Sequence, residues 1–234
     1  MDGTLLTWTF ALIVIGIITY RRKSLDLLGS IFMIFMGVII LFKAGISWLI
    51  LILMFLILSL YASRYAKEYK QKLGTYERKR TAKNVISNGL VAFIMAAFGG
   101  IVFNGHYIPF VGGFIGAIAT ATADTMASEI GVLQKPRLLT TFRTVKPGTD
   151  GAVSILGTSV GVIGAGVIGF ASFTLGILPN PLLAIQIAII SGFIGCFMDS
   201  IFGAVLERRG LINNEHVNLL GTLSGAIVGI ILIG

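Results

Sequence analysis

Long apolar runs separated by short polar stretches dominate the pattern of this chain. The runs are continuous and do not alternate with a period of two, which predicts helices and argues against membrane strands. A helix that crosses the hydrocarbon layer needs about 20 mostly apolar residues. The predicted spans are 4–20, 25–42, 46–66, 84–103, 107–130, 151–173, 181–206 and 216–234. The expected fold class is therefore an all-α integral membrane protein with about eight transmembrane helices.

The cations divide unevenly between the links that join these spans. Every Lys and Arg except Lys43 falls in the links after spans 1, 3, 5 and 7. By the positive-inside rule, these links face the cytoplasm. We therefore expect a multi-pass protein of the cell (cytoplasmic) membrane with both termini outside.

Composition agrees with this class and excludes others. Of the 234 residues, 56% are hydrophobic and 12% are charged, and the mean hydropathy is +0.94. The net charge of +8 suits anionic lipid headgroups, and basic inner loops already explain it, so no nucleic-acid partner is expected. The one cysteine, Cys196, allows neither a disulfide nor a cysteine-based zinc site. The N-terminus lacks a basic region, so its apolar run is interpreted as a retained helix.

The second half of the chain contains two pairs of similar segments. GGFIGA at 112–117 and SGFIGC at 191–196 lie in spans 5 and 7, while VSILGTSVG at 153–161 and VNLLGTLSG at 217–225 open spans 6 and 8. Because a two-helix unit returns the chain to its starting side, the copies would be parallel. Chance similarity between glycine-rich helices is the alternative. The longer pair favours a parallel two-helix repeat over spans 5–8.

The composition of the spans changes near residue 84. Spans 1–3 are rich in Leu, Ile, Phe and Met, whereas spans 4–8 carry most of the glycines and the intramembrane polar groups. We therefore expect a three-span scaffold with a basic cytoplasmic loop over 1–83. A five-span functional part would follow over 84–234, within one membrane domain.

Three carboxylates lie within spans 4–8, toward the cytoplasmic side. Asp124 and Glu129 are in span 5, and Asp199 is in span 7. Such residues are costly in a membrane and are functional candidates by default. A structural ion pair is the alternative, and snorkelling to the surface competes for Glu129. Because five residues of helix turn the chain by about 140° beyond one full turn, Asp124 and Glu129 need not meet and could flank a pocket.

Polar side chains near helix starts lie at a similar depth. Asn84 and Asn88 are one turn apart in span 4, and Ser154 and Asn218 open spans 6 and 8. Such residues are most often caps or interhelix hydrogen bonds, and that interpretation is favoured for Asn84 and Ser154 taken alone. All four are also candidates for phosphate contacts.

The loop KPRLLTTFRTVKPGTDGAVS at 135–154 is basic and glycine-containing. Its cations suit anionic oxygens, and its PGTDG turn leads into a helix N-terminus, where free N–H groups bind anions. An ordinary basic inner loop is the alternative. Beside the acids, phosphate with a divalent metal is favoured, since Mg²⁺ prefers carboxylates and phosphate oxygens together. The candidate residues of the loop are Lys135, Arg137, Arg143, Lys146, Gly148, Thr149 and Gly151.

Several sequence blocks between residues 80 and 234 are similar to a known membrane family. These blocks are ADTMASEIG (123–131), KPGTDGAVSILGT (146–158), SNG (87–89), MDSIFGAVLE (198–207) and VNLLGT (217–222). They resemble the family that includes the phytyl-phosphate kinase of tocopherol synthesis. That family is related more distantly to CTP-dependent phytol and dolichol kinases and to membrane cytidylyltransferases. Where its members commonly have PGTNGG, this chain has PGTDGA, so Asp150 replaces an amide.

The resemblance implies transfer of the γ-phosphate of CTP to an isoprenyl monophosphate of the phytyl or geranylgeranyl type. Such a transfer needs metal, cations and positioned donors more than a strong base. On this hypothesis, Asp124, Glu129 and Asp199 are catalytic and hold Mg²⁺. The loop residues and Asn84 would bind the triphosphate, while Asn88, Ser154 and Asn218 would orient phosphate oxygens. The expected partners are a nucleoside triphosphate, the isoprenoid phosphate and membrane lipid, and a homo-oligomer is compatible with the sequence.

Other functions remain open at this point. A membrane cytidylyltransferase or a kinase of the free prenyl alcohol would use similar residues. An ion-coupled transporter would also keep buried acids in glycine-rich repeats. Transporter sites commonly lie near the midplane, however, whereas these polar groups lie toward one face.

Overall fold

The computed structural model describes residues 3–76, 79–103 and 108–234, with no account of the side chains of 100–103. The helices are α1 (Gly3–Arg21), α2 (Leu27–Lys43), α3 (Ile46–Arg64), α4 (Lys67–Leu73), α5 (Ala82–Phe103), α6 (Ile108–Gly131), α7 (Ile155–Thr174), α8 (Pro181–Val205) and α9 (Asn214–Ile233). A 3₁₀ turn covers Glu207–Arg209. Two short strands, β1 (Arg137–Leu138) and β2 (Ala152–Val153), pair antiparallel, with Arg137 opposite Val153.

The apolar helices match the predicted spans. Seven helices within the described residues are long and apolar enough to cross a membrane. The apolar helix α2 has 17 residues, which is at the lower end of the range of about 17–25 for a spanning helix. The all-α membrane fold is therefore confirmed, although the start of span 5 at residue 107 lies outside the described residues.

Two local features differ from the predicted pattern. The sixth span was expected to begin at residue 151, but α7 begins at Ile155. The reason is that residues 152–153 pair with 137–138, and Ser154 then caps the helix. The short helix α4 lies inside the basic link after span 3 and was not predicted.

Helix α6 is the centre of the bundle. It packs against α3, α5, α7, α8 and α9, and its residues from 111 to 123 are all buried. Its threonines tolerate this burial because their hydroxyls bond backbone carbonyls, as Thr122 does to Ile118 at 2.8 Å and Thr120 to Ser191 on α8 at 3.0 Å. The most buried helix is thus the one that carries Asp124 and Glu129.

Glycines allow the last four helices to approach closely. Gly112 and Gly116 of α6 lie against Gly229 and Gly225 of α9, and a Cβ on Gly116 would overlap the Gly225 carbonyl. Gly161 of α7 similarly faces the carbonyl of Ala123. Spacing small residues four apart is a common way for membrane helices to pack. These contacts hold α7 and α9 close against α6.

The first three helices are built from larger side chains. α2 packs against α1, α3 and α5, and α3 reaches α6. Large apolar residues such as Phe10 on α1 and Ile57 on α3 are exposed, as expected for a surface that faces lipid. Because α5 contacts α2 as well as α6 and α9, the scaffold and the five-span part pack together, and the division between them remains a prediction.

The two proposed repeat units differ at their helix starts. Ser154 is the N-cap of α7, whereas Asn213 caps α9. Asn218 therefore lies inside α9, about one turn beyond its start, and does not open the helix as expected. Both units are packed helix pairs, α6 with α7 and α8 with α9, and the parallel repeat remains a prediction.

Candidate active site

A polar cavity of about 490 Å³ lies at the end of the bundle where α3 and α6 end and α5, α7 and α9 begin. The loop that carries the PGTDG turn lies beside it. The cavity brings together most of the side chains and backbone positions predicted for the site. Those that line it are Asn84, Asn88, Asp124, Glu129, Gly148, Thr149, Gly151, Ser154, Asp199 and Asn218.

The four cations of the loop are not part of this lining. Lys135, Arg137, Arg143 and Lys146 are all exposed, and their contact with phosphate stays a prediction. The short hairpin of β1 and β2 explains why Arg137 is exposed. Side chains alternate along a strand, and here Leu138 is buried while Arg137 faces outward. These cations are placed to attract anions from a distance.

Asp124 and Asp199 are direct neighbours across the α6–α8 contact. The Sγ of Cys196 lies 4.0 Å from Asp124 Oδ1 as a weak donor, and Arg80 interacts electrostatically with the same carboxylate. Asp199 Oδ2 is buried and has no hydrogen-bond partner among the described residues. Two adjacent carboxyl groups thus leave an acceptor unsatisfied, which is unusual for a buried polar atom.

Glu129 is in a different environment. Its Oε2 lies 2.8 Å from Lys70 Nζ, its Oε1 accepts a hydrogen bond of 2.6 Å from Ser63 Oγ, and Arg80 Nη2 lies 3.8 Å away. The structure therefore gives Asp124 and Glu129 separate partners, as the rotation between them allowed.

Lys70 is fully committed to this arrangement. It is only 1% exposed, and its Nζ also donates to the carbonyls of Ala62 (3.0 Å) and Ser63 (2.7 Å) at the end of α3. An ammonium group has three protons, so all of its donors have acceptors. Lys70 joins the end of α3 to α6 and has no proton left for a phosphate.

Sequence reasoning did not single out Lys70 or Arg80. Both belong to a link with several cations, and nothing in the letters distinguishes Lys70 from Lys67 or Lys72. The direction of Lys70 depends on the turn at Ala66, which has a φ of 51°. A turn of this kind in an alanine has no clear sequence signal.

Two of the predicted polar residues act as helix caps. Asn84 Oδ1 accepts from Thr81 N at 2.8 Å and from Thr81 Oγ1 at 2.9 Å. Ser154 Oγ accepts from Gly157 N and donates to Gly131 O, both at 3.1 Å. The cap interpretation is thus confirmed for Ser154, while Asn84, the third residue of α5, bonds back to the residue before the helix as in a capping box. The N–H groups of Leu156 and Gly157 bond to Gln134 and Ser154, so this part of the α7 N-terminus is not the free anion site expected.

The PGTDG turn packs onto the end of α8. Gly151 has a φ of 69°, and a Cβ there would overlap the backbone of Ala204. Thr149 donates both its N–H (3.2 Å) and its hydroxyl (2.7 Å) to the carbonyl of Lys146. The turn therefore satisfies Thr149 internally, which does not favour the predicted phosphate contact through that residue.

The lining of the cavity is negative although the protein is strongly basic. Its carboxylates are Asp124, Glu129, Asp150, Asp199 and Glu207, and its cations are Lys70 and Arg80. Such a lining would repel a bare triphosphate and attract cations. Among the described residues, no group of three or more His, Cys, Asp or Glu side chains forms a metal site. Mg²⁺ is commonly held by one or two carboxylates together with substrate phosphates, which Asp124 and Asp199 with the unsatisfied oxygen fit.

The fold and the cavity define an integral membrane protein with an acid-lined polar site at one end of a glycine-packed helix bundle. The chain belongs to the family described as integral membrane protein DUF92, whose profile matches residues 10–226.

Relatives of known sequence extend over most of the chain. An uncharacterized membrane protein of Methanocaldococcus jannaschii, MJ0933, is 40% identical over 94% of this chain and 90% of its own length. Protein PGR of Arabidopsis thaliana is 28% identical over 94% of this chain and 87% of its own length. The chloroplastic protein VTE6 of Arabidopsis thaliana is 27% identical over 80% of this chain and 59% of its own length. No solved structure matches the chain.

Proposed function

We propose that this protein is a CTP-dependent kinase that converts an isoprenyl monophosphate to the diphosphate. The observation that carries the proposal is that distant parts of the chain meet at one cavity. The sequence blocks that resemble the phytyl-phosphate kinase family are far apart in the chain, yet each contributes to the lining of one cavity. They supply Asn88, Asp124, the segment 148–154, Asp199 and Asn218.

The electrostatics of the cavity support a phosphoryl transfer with a divalent cation. Asp124 and Asp199 would hold Mg²⁺, which when bound would offset the charge that the carboxylates and the phosphates bring together. Arg80 is the cation of the lining with a guanidinium that can contact phosphate oxygens. Glu129 was predicted as a third ligand, but its ion pair with Lys70 favours a structural role.

The phosphoryl transfer needs no general base. An oxygen of the acceptor monophosphate, already anionic, forms a bond to the γ-phosphorus of CTP, and the bond from that phosphorus to the bridging oxygen breaks. CDP leaves with the electron pair, and the prenyl diphosphate is formed. The residues of the site position the two phosphates and screen their repulsion, which is the main contribution that proteins make to this reaction.

A direct assay tests the proposal. Detergent-purified protein is incubated with Mg²⁺, each of the four nucleoside triphosphates, and phytyl or geranylgeranyl monophosphate. We expect prenyl diphosphate, with the label of γ-labelled CTP in the product. Transfer of an α label would indicate a cytidylyltransferase, and activity only on the free alcohol would indicate an alcohol kinase.

A transporter is tested separately, because an acid-lined cavity also suits cations. If purified protein in liposomes moves a cation across the membrane and turns over no nucleotide, the kinase proposal is wrong. The control is the Asp199→Asn variant, which should strongly reduce either activity.

A further inference from the structure

An apolar groove lies beside the polar cavity, on the scaffold side of the bundle. It runs between α1, α2, α3 and α5, and along α3 it is lined by Leu49, Ile52, Leu53, Leu56 and Ser59. From Leu49 to Ser59 the helix rises by about 15 Å. Arg80 and Asn84 line both the groove and the polar cavity. The two spaces therefore adjoin at these two residues.

The groove changes character along its length. Its far part is formed by aliphatic side chains and by glycines such as Gly37, while its near end carries Arg80, Asn84 and Ser59. A ligand that fits must be apolar along most of its length and anionic at one end. That is the chemistry of a lipid monophosphate, with its head in the polar cavity.

Ser59 is a second and independent sign of a ligand. Its side chain is 1% exposed, and its hydroxyl has no hydrogen-bond partner among the described residues. Buried serines in membrane helices usually bond a backbone carbonyl of the preceding turn, and leaving a buried hydroxyl unsatisfied is costly. At the junction with the cavity, this hydroxyl can donate to an oxygen at the head of the lipid.

We infer that the groove between α1, α2, α3 and α5 holds the isoprenoid chain of the acceptor, with its phosphate at Arg80 and Ser59. This inference rests on the proposed function and deepens it. The groove has a volume of only about 60 Å³, so the chain lies along the groove with one side toward the surrounding lipid. The first three helices thereby become the part of the protein that binds the lipid substrate.

Photolabelling locates the chain without depending on turnover. The probe is a geranylgeranyl monophosphate analogue with a diazirine in the isoprene unit next to the phosphate, applied to the full-length purified protein without nucleotide. We expect labelled peptides from α3 around Leu53–Ser59 and from α5 around Val85–Gly89, with labelling removed by excess geranylgeranyl monophosphate. Labels confined to the exposed faces of α7 and α8, or labels that no competitor removes, would overturn the inference.

A matched pair of variants on adjacent positions of α3 sharpens the test. Leu56 lines the groove, whereas Ile57 is 66% exposed on the outer face. Leu56→Trp should lower labelling and raise KM for the prenyl phosphate by about tenfold or more, as a filled pocket does, with KM for CTP unchanged. Ile57→Trp should change neither. Equal effects of the two variants would contradict the groove.

The two proposals fail in different ways. Groove labelling in a protein that turns over no nucleotide would refute the kinase and support the lipid-phosphate site. Turnover of CTP with labels elsewhere would refute the groove and leave the kinase standing. Because labelling uses the unmodified protein, poor folding of Leu56→Trp would not remove the test.

Discussion

The carboxylates on the two sides of the polar cavity differ in their hydrogen-bond and ion-pair partners. On one side, Glu129 receives a hydrogen bond from Ser63 and an ion pair from Lys70, whose protons are all used. On the other side, Asp124 and Asp199 lie together and leave Asp199 Oδ2 unsatisfied. The difference shows that the role of a carboxylate in a membrane helix, structural or functional, follows from the hydrogen-bond donors and cations that contact it. The ion-paired Glu129 stabilises the fold, and the Asp124–Asp199 pair, which leaves Asp199 Oδ2 unsatisfied, is available to a ligand.

Substitution of the ion-paired Glu129 should have its largest effect on the stability of the protein. In Glu129→Ala, the buried ammonium of Lys70 loses its counter-ion, and breaking such a pair costs about 3–5 kcal/mol. We expect a corresponding loss in the free energy of unfolding of the purified protein. The double variant Lys70→Met with Glu129→Leu should recover much of this loss, since an apolar pair can replace a buried ion pair. Normal stability of Glu129→Ala would show that the ion pair is not the structural element described.

Substitution of Asp124 or Asp199 should have its largest effect on activity. Asp124→Asn and Asp199→Asn should each reduce Mg²⁺-dependent turnover by about 10²–10³-fold, the size expected when a preorganised electrostatic group is lost. The unfolding temperature should not fall, because each change removes one of two neighbouring like charges. The control is Glu215→Gln, at an acid outside the cavity lining. A folded Asp124→Asn protein with full turnover would contradict the assignment.

A smaller effect is expected when a cation of the cavity, Arg80, is compared with a cation of the 135–154 loop, Arg143. Arg80→Ala should raise KM for the prenyl phosphate by about tenfold, which corresponds to about 1.4 kcal/mol, since Arg80 lines both the groove and the cavity. Arg143→Ala should change KM for either substrate by less than about twofold at physiological salt, because charges exposed to solvent are screened. A larger effect of Arg143→Ala would support the direct phosphate contact that the sequence predicted for the loop.

The fold could be predicted well because membrane helices are specified by length and hydrophobicity alone. Every predicted span has a helix, and the glycines that mark spans 5–8 do form the close contacts. The candidate site was predicted in part. Asp124 and Asp199 stand out as costly charges in apolar helices, and their depth indicated that they would be near Asn88 and Asn218.

The rest of the site depends on side-chain directions that no simple pattern encodes. Sequence reasoning placed Glu129 with the other acids because it could not see that Lys70 folds back onto α6. The outward direction of Arg137 was not predicted, because a two-residue strand is too short to show its alternation. The apolar groove was missed because Ser59 is one serine in a lipid-like helix, and it is distinguished by an unsatisfied hydroxyl together with its position in the groove lining.

Ligand-induced stabilisation tests the central contrast most directly. The unfolding midpoint of the full-length protein is measured with and without Mg²⁺ and a non-hydrolysable CTP analogue, each variant relative to its own ligand-free state. A ligand that binds the folded state raises the midpoint. The wild type and Glu129→Gln should show the increase, and Asp199→Asn should show none. An increase that survives in Asp199→Asn and is lost in Glu129→Gln would contradict the account.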